Sequence, residues 1–381
     1  MDGTGLFCLG NALVDLFADV EDGAAAALGL SEPVQHVSPE RMQELLAALP
    51  EPSAASGGGA ANAAKTASLL GVQTVFAGTI GRDSWGDFFE QELCDAGVRP
   101  LLGRTAASTG ICLVLREAGG RRVIAACPAA ALELKTGDIP PDRVRQAGAV
   151  VIDGYMLGRQ GLGPESPVQR ILDLAGEYGI VAVLDLGSAA IAAGCAGELA
   201  RRCHRQGVAP LMLFMNEAEA WSFYQALEGA GTEAYWRLSA YFCRFTAPGP
   251  FPLVVVKRGA LGSEVYAGGR RYQAPTEALE TADSLGAGDA YCGGFMAAWL
   301  RGKFLRQCLP GECAALGNRA ARTVLDAPGA RLSRERLVEL AKEAVALGSF
   351  RSAKKVATAR RMAKGEGRVQ SGLPSDASDT S

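Results

Sequence analysis

Short apolar runs, most of them closed by glycine or a polar residue, set the strongest limit on how this chain can fold. They stand at LFCLG (6–10), VFAG (75–78), ICLVL (111–115), AVVID (149–153), IVAVLDL (180–186), LMLFM (211–215) and LVVVK (253–257). Each is too short for a helix and apolar at consecutive positions, the pattern of strands buried on both faces in a parallel sheet. Between them the spacing predicts helices over 59–71, 83–97, 166–178, 216–229, 289–302 and 312–325. Strand–helix alternation builds βαβ units, so the fold class is α/β, a doubly wound and mostly parallel sheet flanked by helices. Ligands on such sheets bind beyond the carboxyl ends of the strands, and the polar residues there are the ones to inspect.

Two regions depart from the alternation. Residues 17–56 are rich in Ala and Glu and carry few strand signals, whereas 106–128 reads as two strands around a Gly119-Gly120 turn. Together they are expected to supply a small β lid over a main domain spanning 1–332. A C-terminal helix is predicted over 333–350. Residues 351–381 are basic first (Arg351, Lys354, Lys355, Arg360, Arg361, Lys364, Arg368) and then rich in Ser and Asp. That tail reads as solvated and disordered, with contact to an acidic partner as the functional alternative.

Composition excludes several function classes. The net charge of −3 over 381 residues gives no basic excess, so nucleic acid is not an expected partner. No run of about eighteen apolar residues occurs, and the N-terminal apolar stretch lacks a basic lead, so neither membrane insertion nor secretion is expected. A cytoplasmic location follows, and the ten cysteines, without metal-ligand spacing, read as reduced structural thiols. With only His36 and His204 present, acid–base chemistry is expected to rest on carboxylates or lysine.

The segment TADSLGAGDAYCGGF (281–295) carries the clearest chemistry. Gly286, Ala287 and Gly288 precede an apolar helix, so backbone N–H groups and the helix N-terminus can converge on one anion. Asp289 sits beside them, able to accept a hydroxyl proton during in-line phosphoryl transfer. The plainer reading is a Gly-rich turn with Asp289 as helix cap. A second Gly-rich loop, SGGGAANAAKTASLLG (56–71), brings Gly57 and Gly58 for close backbone approach and Asn62 for a polyol. Tight helix packing through Ala and Gly is the alternative there.

These two loops resemble the two signature regions of the ribokinase-like, phosphofructokinase B-type family of carbohydrate kinases. Further matches fall in family order: Gly10, Asn11 and Asp15; Gly78, Gly81 and Asp83; Asn216 and Glu219; Lys257, Gly259 and Gly262; and Asn318 before Gly329-Ala330. Ser284 departs mildly from the usual Thr, and Leu285 stands where small or polar residues are common. The resemblance implies an ATP- and Mg²⁺-dependent kinase acting on a primary hydroxyl. It casts Asp289 as base and Gly286, Ala287 and Gly288 as the anion hole. Asn11, Asp15, Gly57, Gly58 and Asn62 match acceptor-binding positions, and Asn216, Lys257, Gly259 and Asn318 match nucleotide-side ones. Glu219 is implied to hold Mg²⁺ through water, and Asp283 to border a monovalent cation such as K⁺. The bland readings are a solvated strand end for Lys257 and a dipole-favoured first-turn carboxylate for Glu219.

The opening GNALVD and the run VIDGY (151–155) resemble the adenosine kinase branch, which ranks nucleosides above free sugars as acceptors. Phe17, Phe76 and Tyr155 are the aromatic candidates for contact with a base. A monomer or homodimer is expected. A sensor that binds nucleotide or sugar without turnover is the alternative, although Asp289, the anion hole and the N-x-x-E pair stand together against it. An NAD-dependent dehydrogenase would need G-x-G-x-x-G after the first strand, where GNALVD stands instead.

Overall fold

The computed structural model describes residues 3–205, 207–229, 234–247, 249, 251–278, 284–304, 309–325 and 333–342. The strands are β1 (Gly5–Leu9), β2 (Leu13–Val20), β3 (Val34–His36), β4 (Ser53–Gly57), β5 (Thr74–Gly81), β6 (Arg99–Thr105) and β7 (Gly110–Glu117). They continue as β8 (Arg122–Cys127), β9 (Ala147–Asp153), β10 (Val181–Asp185), β11 (Leu211–Asn216), β12 (Leu253–Lys257), β13 (Ser263–Ala267) and β14 (Arg270–Ala274). The helices are α1 (Ala24–Ala27), α2 (Pro39–Ala47), α3 (Gly59–Leu69), α4 (Ser84–Asp95), α5 (Pro141–Arg145) and α6 (Gly154–Gln160). After these come α7 (Pro167–Glu177), α8 (Ala189–Cys203), α9 (Glu217–Glu228), α10 (Tyr235–Phe245), α11 (Ala287–Phe304) and α12 (Pro310–Leu325), with one more helix over 334–342.

Among the described residues, nine strands form one sheet in the order β14-β13-β12-β11-β10-β9-β1-β5-β6. Neighbours are parallel from β12 to β6, and β13 and β14 add an antiparallel hairpin at the other edge. From β1 the chain winds outward to β5 and β6, then returns and winds the opposite way from β9 to β12. The reversal between β1 and β9 leaves a crevice at their carboxyl ends, where ligands bind in folds of this kind.

Side-chain alternation along the strands builds one core on each face of this sheet. Leu6, Cys8, Ala149 and Val151 enter one core, while Phe7, Leu9, Val150 and Ile152 enter the other. Each fully buried Leu, Ile, Val or Phe contributes about 1.5–3 kcal/mol, so both faces must be covered by helices. The helix α7 shows how the sequence does this. Ser166 caps it by accepting from Val168 N (3.1 Å), Pro167 fits its first turn, and Val168, Ile171, Leu172, Leu174 and Ala175 bury one stripe.

A second sheet of five strands runs β3-β8-β7-β2-β4, the small β lid expected from sequence. The predicted hairpin is β7 and β8 around Gly120, whose φ of 85° only glycine adopts readily. The region 17–56 is less plain than its composition suggested, since half of β2, all of β3 and most of β4 lie in it. Of the predicted C-terminal helix, 334–342 is helical. The remainder of that prediction and the basic tail lie outside the described residues.

Candidate active site

Asp289 is the third residue of α11, which begins at Ala287 after Gly286 turns the chain with a φ of 76°. It therefore lies inside the first turn, not at the cap position. Its Oδ2 accepts from Asn62 Nδ2 at 3.0 Å, joining the two Gly-rich segments through α3 and α11. The helices can meet this closely because the intervening residues are small. A Cβ on Gly59 would lie 3.3 Å from Asp289 Oδ1, and one on Gly293 would lie 2.4 Å from Ala63 O. Burial pushes the Asp289 carboxyl up to about 6, with Asp185 adding to the rise and Asn62, Lys257 and Lys65 opposing it. At neutral pH it is ionised and close enough to its midpoint to serve as a base.

The residues expected on the acceptor side gather around the β1–β2 turn and the end of β4. The Asp15 carboxyl occupies the space a side chain on Gly57 would need, with its atoms 2.3 Å from an ideal Cβ there. Gly58 has a φ of 93°, and a Cβ on it would strike Asn11 O at 2.2 Å. Both glycines are therefore required by close approach. Burial raises Asp15 to about 7, opposed by Lys65 and reinforced by Asp289. Asp153, at the end of β9, abuts Gly10, and burial raises it to about 7 although the Tyr155 and Asn11 backbone N–H groups oppose this. Its Oδ1 accepts from Tyr155 N at 2.9 Å.

On the other side of Asp289, Lys257 Nζ donates to both oxygens of Asp185 at 2.8 and 2.9 Å. The solvated strand end that sequence offered as an alternative is thus not found. Burial works against the Lys257 charge, but Asp185 and Glu219 overcome it and hold the ammonium above its ordinary value. A Cβ on Gly288 would lie 3.2 Å from Lys257 Nζ, so this ammonium borders the Gly286–Gly288 turn. Asn216 and Glu219 form a capping box on α9: Glu219 Oε2 accepts from Asn216 N, and Asn216 Oδ1 accepts from Glu219 N, each at 2.9 Å. Burial raises Glu219, with Lys257 opposing it. Farther along the edge, Gly259 opens the turn after β12, and Asn318 Nδ2 donates to Ala274 O at 2.8 Å. Asp283 lies outside the described residues.

The structure thus brings Asp289, Asn62, Asp15, Gly57, Gly58 and Asn11 together, with Lys257, Gly288, Asn216 and Glu219 bordering the same crevice. Gly259 and Asn318 stand apart toward β14. Of the aromatic candidates, Phe17 and Phe76 are buried, and Tyr155 alone is exposed, its hydroxyl donating to Gly187 O at 2.9 Å. Asp153, Asp185 and Lys65 were missed as site residues. The first two end apolar runs, the very positions where the fold rule directs attention, and Lys65 follows Asn62 at helical spacing.

The resemblance implies Mg²⁺, and the donor set around Glu219 is sparse. Among the described residues no group of three or more His, Cys, Asp or Glu side chains could hold a metal. Mg²⁺ bound beside phosphates keeps several waters and takes few protein ligands. Glu219 retains lone pairs beyond its capping bonds, so it suits a water-mediated role.

A family model described as pfkB family carbohydrate kinase matches residues 26–337. An uncharacterized sugar kinase of Archaeoglobus fulgidus is 24% identical over 273 residues, covering 71% of this chain and 99% of the relative. A probable sugar kinase from Rhizobium etli has a solved structure matching at a TM-score of 0.77 and 24% identity, over 90% of this chain and 99% of its own. The adenosine kinase of Sinorhizobium meliloti matches at a TM-score of 0.75 and 25% identity, over 89% and 99%. Among the described residues, no helix is long and apolar enough to cross a membrane.

Proposed function

The chain belongs to the pfkB family of carbohydrate kinases, and from that premise we propose that it moves the γ-phosphoryl group of ATP to a primary hydroxyl of a nucleoside or sugar. The observation that carries this reading is Asp289, half-buried in the first turn of α11 with the Asn62 amide on one oxygen. Asn62 orients the carboxylate and leaves Oδ1 free of that bond, toward the crevice beside Gly59. Asp15 and the Gly57–Gly58 backbone hold the acceptor, whose hydroxyls donate to the carboxylates and accept from N–H groups.

Asp289 takes the hydroxyl proton as the acceptor oxygen bonds to the γ-phosphorus and the bond to the ADP oxygen breaks. The Gly286–Gly288 backbone and the positive end of α11 stabilise the charge spread over the migrating group. Asn216, Lys257, Gly259 and Asn318 line the nucleotide side, and Glu219 would hold Mg²⁺ through water. Held there with the nucleotide, Mg²⁺ would supply positive charge against the phosphates. The small sheet covers the acceptor and excludes water, which otherwise competes for the phosphoryl group. Nucleosides rank above free sugars on GNALVD and VIDGY, and Tyr155 offers an exposed ring at the crevice mouth.

The test is ADP release from Mg-ATP with a panel of nucleosides, free sugars and sugar phosphates. Turnover is expected on one class, and Asp289→Asn should lower kcat by about 10²–10⁴-fold with ATP binding kept. Full activity in that variant would remove Asp289 as base, and a silent panel with folded protein would remove the acceptor assignment.

A further inference from the structure

An ammonium taken out of water costs several kcal/mol unless it is paired, so a lysine buried in an alanine-rich helix calls for a reason. Lys65 is 8% exposed and follows Asn62 by three residues on α3, on the same helical face. Its Nζ donates to Ser56 O at 2.6 Å and to Ser56 Oγ at 2.8 Å. Neither acceptor is charged. Ser56 N in turn donates to Glu92 Oε2 at 2.7 Å. The next residue is Gly57, against which the Asp15 carboxyl is packed.

Burial lowers the Lys65 ammonium below its ordinary value, and the carboxylates that oppose this come from three elements: Glu92 on α4, Asp15 on β2 and Asp289 on α11. The Cys112 thiol of β7 bonds to Asp15, and Arg122 of β8 acts on that thiol. Lys257, a half-buried ammonium of the site, is committed to Asp185. Among the described residues, Lys65 supplies the positive charge that acts on Asp15.

We propose that Lys65 is a positioning residue of the acceptor site. Anchored on Ser56, it provides the positive charge that lets Asp15 and Asp289 be ionised together, and it pins the strand end whose Gly57–Gly58 backbone receives the acceptor. The inference rests on the reading of Asp289 as base and Asp15 as acceptor ligand, so its first test needs no turnover.

Ligand-free wild type, Lys65→Met and Lys65→Arg are melted at pH 5 and pH 8. If Lys65 is the counter-charge, the loss of Tm in Lys65→Met is larger at pH 8, where Asp15 and Asp289 are ionised, than at pH 5. Lys65→Arg should restore most of the difference. An equal loss at both pH values would mark Lys65 as packing only and overturn the proposal. With an acceptor active in the panel, Lys65→Met should raise the acceptor KM about tenfold or more while the ATP KM stays within about twofold. It should also shift the acid limb of kcat/KM upward by about one pH unit. Equal changes in both KM values, or an unmoved limb, would sink the idea. Should Lys65→Met fail to fold, Ser56→Ala decides: a raised acceptor KM alone supports the anchor, and an unchanged one overturns it. Asp289→Asn run alongside separates the readings, because its full activity removes the base and leaves the Tm result for Lys65 standing.

Discussion

Gly57 faces Asp15 so closely that a single methyl group tests the proposed acceptor site. An added Cβ would sit 2.3 Å from the carboxyl, and Asp15 has to turn away to make room. Gly57→Ala should therefore cut kcat/KM for the acceptor by about a hundredfold, the cost of misplacing a binding group by about 1 Å. The ATP KM should stay put, and steady-state kinetics with each substrate varied in turn will show whether it does. A loss shared by both substrates would mean that the whole crevice has shifted. Residues of this kind were legible before the fold was known, because Gly57, Asn62, Asp15 and Asp289 sit in runs where small and polar residues replace the expected core. Asp153, Asp185 and Lys65 were not. A carboxylate closing an apolar run looks the same in sequence whether it is tied to a lysine, as Asp185 is, or held against Gly10, as Asp153 is. Only the sheet order, which sets β9 beside β1 and β10 beside β9, decides between them.

At the scale of elements, the position of Asp289, the proposed base, depends on how closely α11 lies against α3 and α12. Gly293 and Gly294 form that contact: Cβ atoms there would fall 2.4 Å from Ala63 O and 2.6 Å from Ala320 Cβ. Replacing glycine by alanine in an open helix gains about 1 kcal/mol, and overpacking costs about 1–3 kcal/mol. At Gly293 the obstacle is backbone, so the second effect wins. Gly293→Ala should destabilise the protein and lower kcat by parting Asn62 from Asp289. Gly194 in α8 has nothing within 4 Å of an added Cβ, and Gly194→Ala should stabilise with activity kept. Urea midpoints and kcat for the two variants check the contrast, and equal behaviour would refute the role given to the α3–α11 contact. The buried parallel strands and several of the longer helices were readable as elements, but β2, β3, β4, β6, β13 and β14 were not, nor were α2, α8 and α10. β4 (SAASG) lacks β-branched residues, and β6 contains Pro100 and Gly103, tolerated because it is an edge strand. β14 (RRYQA) is an outer hairpin strand with little apolar content. For such segments, pairing with a neighbour overrides local propensity.

For the whole molecule, the site imposes a pH dependence whose direction follows from its carboxylates. Asp15 and Asp153 are raised to about 7 and Asp289 to about 6, from an ordinary value of 3.8, in each case chiefly by burial. Between the two values the folded chain holds protons that the unfolded chain has released, so stability falls as pH rises. Each such proton contributes about 1.4 kcal/mol per pH unit. The contribution is complete below about pH 4 and lost once the folded values are passed. Asp83 works in the opposite sense: burial opposes its charge, but bonds from Thr109 and Gly86 prevail and hold it below the ordinary range. Its stabilisation is present above pH 4 and lost as acid protonates it, as is that of Glu264, held low by its tyrosine and glutamine bonds against burial. The two trends cross on the acid side of neutrality, so the ligand-free protein should be most stable near about pH 5 and lose urea resistance steadily toward pH 8. Asp15→Asn removes one of these raised carboxylates and should flatten that decline while leaving the acid side unchanged. A decline equally steep in the variant would mean that Asp15 is already ionised at low pH in the folded chain. The acceptor would then meet a carboxylate at every pH tested, and the acid limb of activity would belong to Asp289 and Asp153 alone.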